Sequence, residues 1–241
     1  MDWKKLLRVV LPFVLLMFMQ FATYWGNQWY AETFGNPGKD LSVIFLEFNQ
    51  AVPFLPWTIW PYVIAYPFWI LGFIYIGYRD KTNMYRILLL VLVTFTICGF
   101  WYLFFQTDVQ AWRETSGLFA RDPSTFNLSE SLTFWIYAAA GPRNANPSMH
   151  CLMSWLCVIG VRLDKKMPKG IKIMTWVLAI AICISTQTLK QHYIIDMITG
   201  IALPEAAYWL LKDSKAVGWL EARFTKLNQR LRLEPSSLAT E

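Results

Sequence analysis

Charge is what this 241-residue sequence has least of: Asp, Glu, Lys and Arg together make up 16%, against about a quarter in an ordinary soluble domain. So few charges cannot coat a soluble globule that also carries thirteen Trp, eleven Tyr and seventeen Phe. Histidine is scarcer still, with two in the whole chain. The four cysteines (Cys98, Cys151, Cys157 and Cys183) lie in or at the ends of apolar stretches without paired spacing, which excludes a disulfide scaffold. With no Cys/His cluster at zinc spacing, neither a metal nor another cofactor is expected. A net charge of +6 could point to nucleic acid, but no basic stripe is interleaved with exposed aromatics, so no nucleic-acid partner is expected. No internal repeat and no low-complexity linker divides the chain. What remains is an all-α, polytopic membrane protein.

The chain does have long apolar runs. A bilayer core takes about 20 apolar residues per helix, and six segments approach that length: Leu6–Tyr24, Trp57–Tyr78, Ile87–Phe105, Ser148–Val161, Ile171–Leu189 and Tyr193–Leu211. Lys4, Lys5 and Arg8 precede the first as in a signal peptide, but no small-residue cleavage site follows, so a retained helix is expected. Alternate connections split the basic residues seventeen to five, with the N-terminus, the 79–86 and 162–172 loops and the tail on the rich side. The positive-inside rule then makes both termini cytosolic and turns the loops 25–56 and 106–147 outward. Leu41–Phe54, broken by Pro53 and Pro56, reads as an interfacial piece, and Ser131–Gly141 as a membrane-dipping segment. The expected organisation is a single integral-membrane domain over 1–241. Its core is 57–211, and 212–241 forms a cytosolic amphipathic tail that loosens from Pro235.

The two histidines occupy matching places. His150 closes Pro147-Ser148-Met149-His150 at the outer start of the fourth span, and His192 opens His192-Tyr193-Ile194-Ile195-Asp196 at the outer start of the sixth. His192 and Asp196 are one helical turn apart on a shared face. A carboxylate on one ring nitrogen fixes the tautomer and frees the other as a nucleophile. The alternative reading is a structural His–Asp pair closing a helix end. Ser148 after Pro147 is a helix entry with free N–H groups behind it, a ready anion site or plain N-capping. Arg143, Asn144, Lys190 and Arg113 or Arg121 offer further donors for phosphoryl oxygens, or are solvated loop charges. Glu205 beside Pro204 lies about 20 Å along the helix from His192, outside that site.

These residues resemble the type 2 phosphatidic acid phosphatase superfamily. Its pattern runs Lys-x6-Arg-Pro, then Pro-Ser-Gly-His, then Ser-Arg-x5-His-x3-Asp. Pro147 to His150 resembles the second part, and Ser185 to Asp196 matches the third in spacing, over a region of roughly 57–211. Met149 replaces Gly, Thr186 stands where the third part has Arg, and no Lys-x6-Arg-Pro exists. The bulky residue before His150 and the run Gln191-His192-Tyr193 look more like the inositol phosphorylceramide and sphingomyelin synthase branch.

The resemblance implies a metal-independent phosphatase or phosphotransferase, with His192 as nucleophile, Asp196 as its support and His150 as acid and base. Ser148, Lys190, Arg143, Arg113 and Asn144 would hold substrate. It also implies a lipid phosphate or phospholipid substrate, and the outward turn of the long loops makes the outer leaflet of a plasma membrane the expected place of action. Hydrolysis and sphingolipid-synthase-like transfer of a phosphorylated headgroup both remain open, as does a catalytically inactive lipid-binding or transport protein. The sequence names no protein partner.

Overall fold

The computed structural model describes residues 3–235, and among these the chain is all-helical. Five helices are long and apolar enough to cross a membrane, which makes this an integral membrane protein. Helix α1 (Trp3–Gln20) runs through a π-helical turn (Phe21–Gly26) into α2 (Asn27–Thr33), a continuous 31-residue unit. It outlasts the expected end at Tyr24. Apolar content marks where a membrane would stop, whereas the helix continues because Asn27 Nδ2 donates to the Thr23 carbonyl (2.8 Å) and Gln28 Nε2 to Glu32 (3.1 Å).

The short α3 (Leu46–Ala51) follows, with Val43, Phe45 and Phe48 exposed around it. This is the arrangement expected of an interfacial piece. Helices α4 (Ile59–Arg79) and α5 (Lys81–Phe104) are separated by Asp80 alone, whose carboxylate caps α5 through the Asn83 N–H at 3.0 Å. After α6 (Gln110–Glu114), α7 (Leu128–Ala140) starts at a capping box of Asn127 and Glu130 and stops at Gly141, whose φ of 59° suits a residue without Cβ. Helix α8 (Met149–Leu163) has 15 residues, short of the length of the other five candidate spans. The chain closes with α9 (Lys169–Thr188), α10 (Ile194–Leu211) and α11 (Ala216–Arg230). The loosening foreseen after Pro235 lies outside the described residues.

In a bilayer, helix association rests on close packing and interhelical hydrogen bonds, not on expulsion of water. Both are present here. Met84, Leu88, Val91, Phe95 and Tyr102 along α5 are fully buried in the main apolar cluster with Leu152 and Leu156 of α8. Asn83 Nδ2 bonds the Gly160 carbonyl (2.9 Å), and Trp69 Nε1 bonds Ser154 Oγ (3.0 Å). Glu205 is held by Arg162 (2.7 and 3.0 Å) and Trp155 (2.8 Å), a satisfied acid away from the histidines.

Ion pairs gather the basic segments at one end of the bundle. Arg79 pairs with Asp164, Lys81 with Glu221 and Glu234, and Arg8 with Glu234. The tail helix is docked there through Val217, Leu220 and Phe224, the last against Tyr85, so part of its apolar face meets protein while Trp219 and Leu227 stay exposed. Both histidines sit at the opposite end.

Candidate active site

Two irregular segments deliver the histidines, and each is braced on its backbone. In the 141–148 segment, Gln106 Oε1 accepts from Asn144 N (2.8 Å), and Gln106 Nε2 donates to Asn144 Oδ1 (2.8 Å). Asn144 Nδ2 donates to the Tyr24 carbonyl (2.8 Å), so both polar atoms of this expected substrate ligand are engaged in bracing. Thr107 Oγ1 accepts from Ala145 N and Asn146 N at 3.0 and 3.1 Å, and Tyr102 donates its hydroxyl to the Pro147 carbonyl at 2.5 Å. In the second segment the Thr186 carbonyl accepts from Gln191 N (3.0 Å) and His192 N (3.1 Å), turning the chain at the end of α9.

Asp196 joins the two segments. Fully buried, it accepts from Asn146 Nδ2 (3.0 Å) and Tyr193 N (2.8 Å), while its own carbonyl accepts from Ser148 N (3.0 Å). His192 Nδ1 lies 2.9 Å from the Ala145 carbonyl and 3.5 Å from Asp196 Oδ2. A carbonyl only accepts, so Nδ1 carries the hydrogen and Nε2 keeps its lone pair. The tautomer is therefore fixed first by Ala145, with the carboxylate one step further away than its i,i+4 spacing implied.

Ser148 N-caps α8, its Oγ accepting from Cys151 N at 3.4 Å. Two residues on, His150 is enclosed by aromatics of α4. Tyr62 stacks on its ring with centroids 4.1 Å apart, and Tyr66 and Trp69 meet it edge-on at 5.8 and 5.1 Å. The His150 and His192 rings are 6.4 Å apart, and His150 Nε2 is buried with no hydrogen-bond partner among the described residues.

The candidate cations separate in space. Arg113 is 2% exposed and forms no ion pair with a carboxylate among the described residues. Its Nη1 donates to the Tyr137 carbonyl (3.0 Å) and its Nη2 to Gln191 Oε1 (2.5 Å), while Nε is left without a partner. Burial pulls its pKa below the usual arginine value, the signature of a cation held out of water. Gln191, next to His192, likewise presents a buried Nε2 with no acceptor.

Lys190 is buried and lies over the Trp112 ring (3.7 Å to the centroid), donating to the Val52 carbonyl; burial lowers its pKa to about 8. It thus ties the 41–56 segment down. Arg143 is partly exposed with an unpartnered Nη1. Arg121 forms a surface pair with Glu130, which keeps that carboxyl below its usual range.

A family model described as the PAP2 superfamily matches residues 43–210. The chain belongs to the PAP2 superfamily. Neither the curated proteins nor the solved structures gave a match. The superfamily in general comprises phosphatases and phosphotransferases, and the apolar helices fit a membrane protein of phosphatase type.

Two departures from the PAP2 motifs acquire a structural meaning. Met149, in place of the motif glycine, is 3% exposed and points into the main apolar cluster. Thr186, in place of the motif arginine, donates to the Cys183 carbonyl (2.7 Å) and shapes the turn. A guanidinium arrives instead from α6, through the Arg113–Gln191 bond.

Asn146, Gln191 and the α4 aromatics were not foreseen, because their side-chain partners lie far away in sequence: Asn146 and Asp196 are separated by 50 residues, and Gln191 and Arg113 by 78. Close approach of α10 to α8 is permitted by Gly200, where a Cβ would lie 2.6 Å from the Ser148 carbonyl oxygen. Gly200→Ala is expected to cost about 1–3 kcal/mol of stability. It should also reduce turnover at least tenfold, read from melting in detergent alongside activity. Unchanged values for both would show that the two helices move apart freely.

Proposed function

We propose that this PAP2 superfamily member opens the phosphoester of a lipid through a phospho-histidine at His192. One observation carries the reading: a histidine whose Nε2 lone pair is freed by a carbonyl on Nδ1 lies 6.4 Å, ring to ring, from a second histidine, beside a buried guanidinium with no carboxylate partner among the described residues. In the first step the Nε2 lone pair attacks phosphorus, the phosphorus–oxygen ester bond breaks, and the leaving oxygen takes a proton from His150. In the second, water or an acceptor hydroxyl gives its proton to His150 and attacks phosphorus, and the phosphorus–nitrogen bond breaks. Arg113, Gln191 Nε2 and the N–H groups behind Ser148 would bind the equatorial oxygens, with Arg143 and Lys190 contributing charge from further out.

The departures in the motifs favour keeping headgroup transfer beside hydrolysis, since both share the covalent intermediate. Following free phosphate and new lipid product together from a panel of lipid phosphates and phosphodiesters, with His192→Ala as control, separates them. Phosphate release identifies a hydrolase, and a new lipid without phosphate a transferase. No turnover from folded protein would favour an inactive lipid-binding relative.

The same reading includes six spans, α8 being the short one, with both termini cytosolic and the site at the outer leaflet of a plasma membrane. Its support is the seventeen-to-five split of basic residues and their gathering at one end through Arg79, Lys81 and Arg8. A reporter fused at residue 120 is expected outside the cytosol, and a cytosolic signal there would reverse the orientation.

A further inference from the structure

The two histidines are held by different forces. His192 is fixed by hydrogen bonds on Nδ1, whereas the tight contacts of His150 are aromatic: Tyr62 lies face to face with it, at 4.1 Å and an interplanar angle of 23°. Tyr62 is itself buried, packed with Ile59, Ile136 and Leu189. Trp69 closes a second side at 5.1 Å and is locked by its bond to Ser154 Oγ (3.0 Å), one turn after His150 on the same helix. Tyr66, 48% exposed, forms the third side toward the outside of the bundle. A hydrogen-bond partner on His150 would compete for the proton that an acid–base group has to give and recover. An aromatic face restrains the ring without accepting from either nitrogen.

We propose that Tyr62, backed by Trp69, is a positioning residue that aims the His150 ring at the leaving oxygen of the substrate. The inference rests on the acid–base role given to His150 above. Removal of the stack lets the ring swing, and a displacement of about 1 Å at a proton donor costs on the order of a hundredfold in rate. The loss depends on the leaving group. An alkyl alkoxide needs the proton as its bond breaks, whereas a nitrophenolate departs without it.

The test uses the full-length protein in detergent with two phosphate monoesters, dodecyl phosphate and 4-nitrophenyl phosphate. Tyr62→Leu is expected to lose at least about tenfold in kcat/KM on the dodecyl ester while keeping kcat/KM on the nitrophenyl ester within about threefold, because kcat/KM reports the step in which the leaving oxygen departs and not the later attack of water that both esters share. Trp69→Leu is expected to show the same selectivity in weaker form. Tyr62→Phe keeps the ring and is expected to restore most of the dodecyl turnover. Equal losses of kcat/KM on both esters in Tyr62→Leu, or a Tyr62→Phe protein as impaired as Tyr62→Leu, would overturn the assignment. Full turnover of both esters by His192→Ala would instead remove the phospho-histidine reading, which the wild-type and Tyr62 results do not decide.

Discussion

Replacement of His192 by alanine is expected to lower turnover by on the order of 10^4-fold or more, as loss of a covalent nucleophile does. Expression and membrane insertion should remain near wild type, because the ring's one short hydrogen bond in the structure is to the Ala145 carbonyl. Trapping phosphorylated protein in an alkaline detergent quench, with a base-stable and acid-labile label that is absent from the variant, checks the same point chemically. Full activity of His192→Ala would end the mechanism. Asp196→Asn is expected to be milder in chemistry, about 10–100-fold, since the tautomer of His192 is set by a backbone carbonyl that the substitution leaves in place. Its larger cost falls on stability. The amide would turn a donor toward either Asn146 Nδ2 or Tyr193 N, both of which already donate to this fully buried group.

The second large effect is expected at Arg113. Arg113→Met should reduce kcat/KM for a lipid phosphate by about 100- to 1000-fold, the loss expected when a desolvated donor to transition-state charge is removed. Arg113→Lys should recover only part of it, because a single ammonium cannot hold the Tyr137 carbonyl, Gln191 Oε1 and a phosphoryl oxygen together. Lys190→Gln is expected to cost much less, since that amine is already committed to the Val52 carbonyl and the Trp112 face. The pH dependence distinguishes the two cations. Any charge that Lys190 adds to substrate binding is present at neutral pH and fades as pH rises through about 8, while the Arg113 contribution stays flat over that range. Substrate kinetics of the three variants between pH 6.5 and 9 measure both effects. A wild-type kcat/KM in Arg113→Met would place the phosphate elsewhere.

Five of the expected spans and the nearness of the two histidines were legible because each depends on local properties: runs of apolar residues, the spacing of His192 and Asp196, and Ser148 ahead of His150. The ranking of the arginines was not. Arg113, Arg121 and Arg143 look alike in sequence, and what separates them is the partner each finds. Arg121 meets Glu130 nine residues on, whereas Arg113 meets Gln191 across 78 residues. Nor could the walls around His150 be read, since Tyr62 and Trp69 reach it from a different helix on which they resemble any other membrane aromatic. The end of the first helix was missed for the opposite reason. Its continuation to Thr33 is local, but it is written in amide side chains, not in hydropathy.

Helices α8 and α10 are fastened to each other twice. One fastening is the Ser148–Asp196 backbone bond, and the other is Glu205, gripped by both Arg162 and Trp155 of α8, with Asp196 and Glu205 about 14 Å apart along α10. A single fastening would act as a pivot, and two make a truss. Sliding or rolling one helix on the other breaks both joints together, so the separation of His150 and His192 is insulated from bending stresses in the surrounding bilayer.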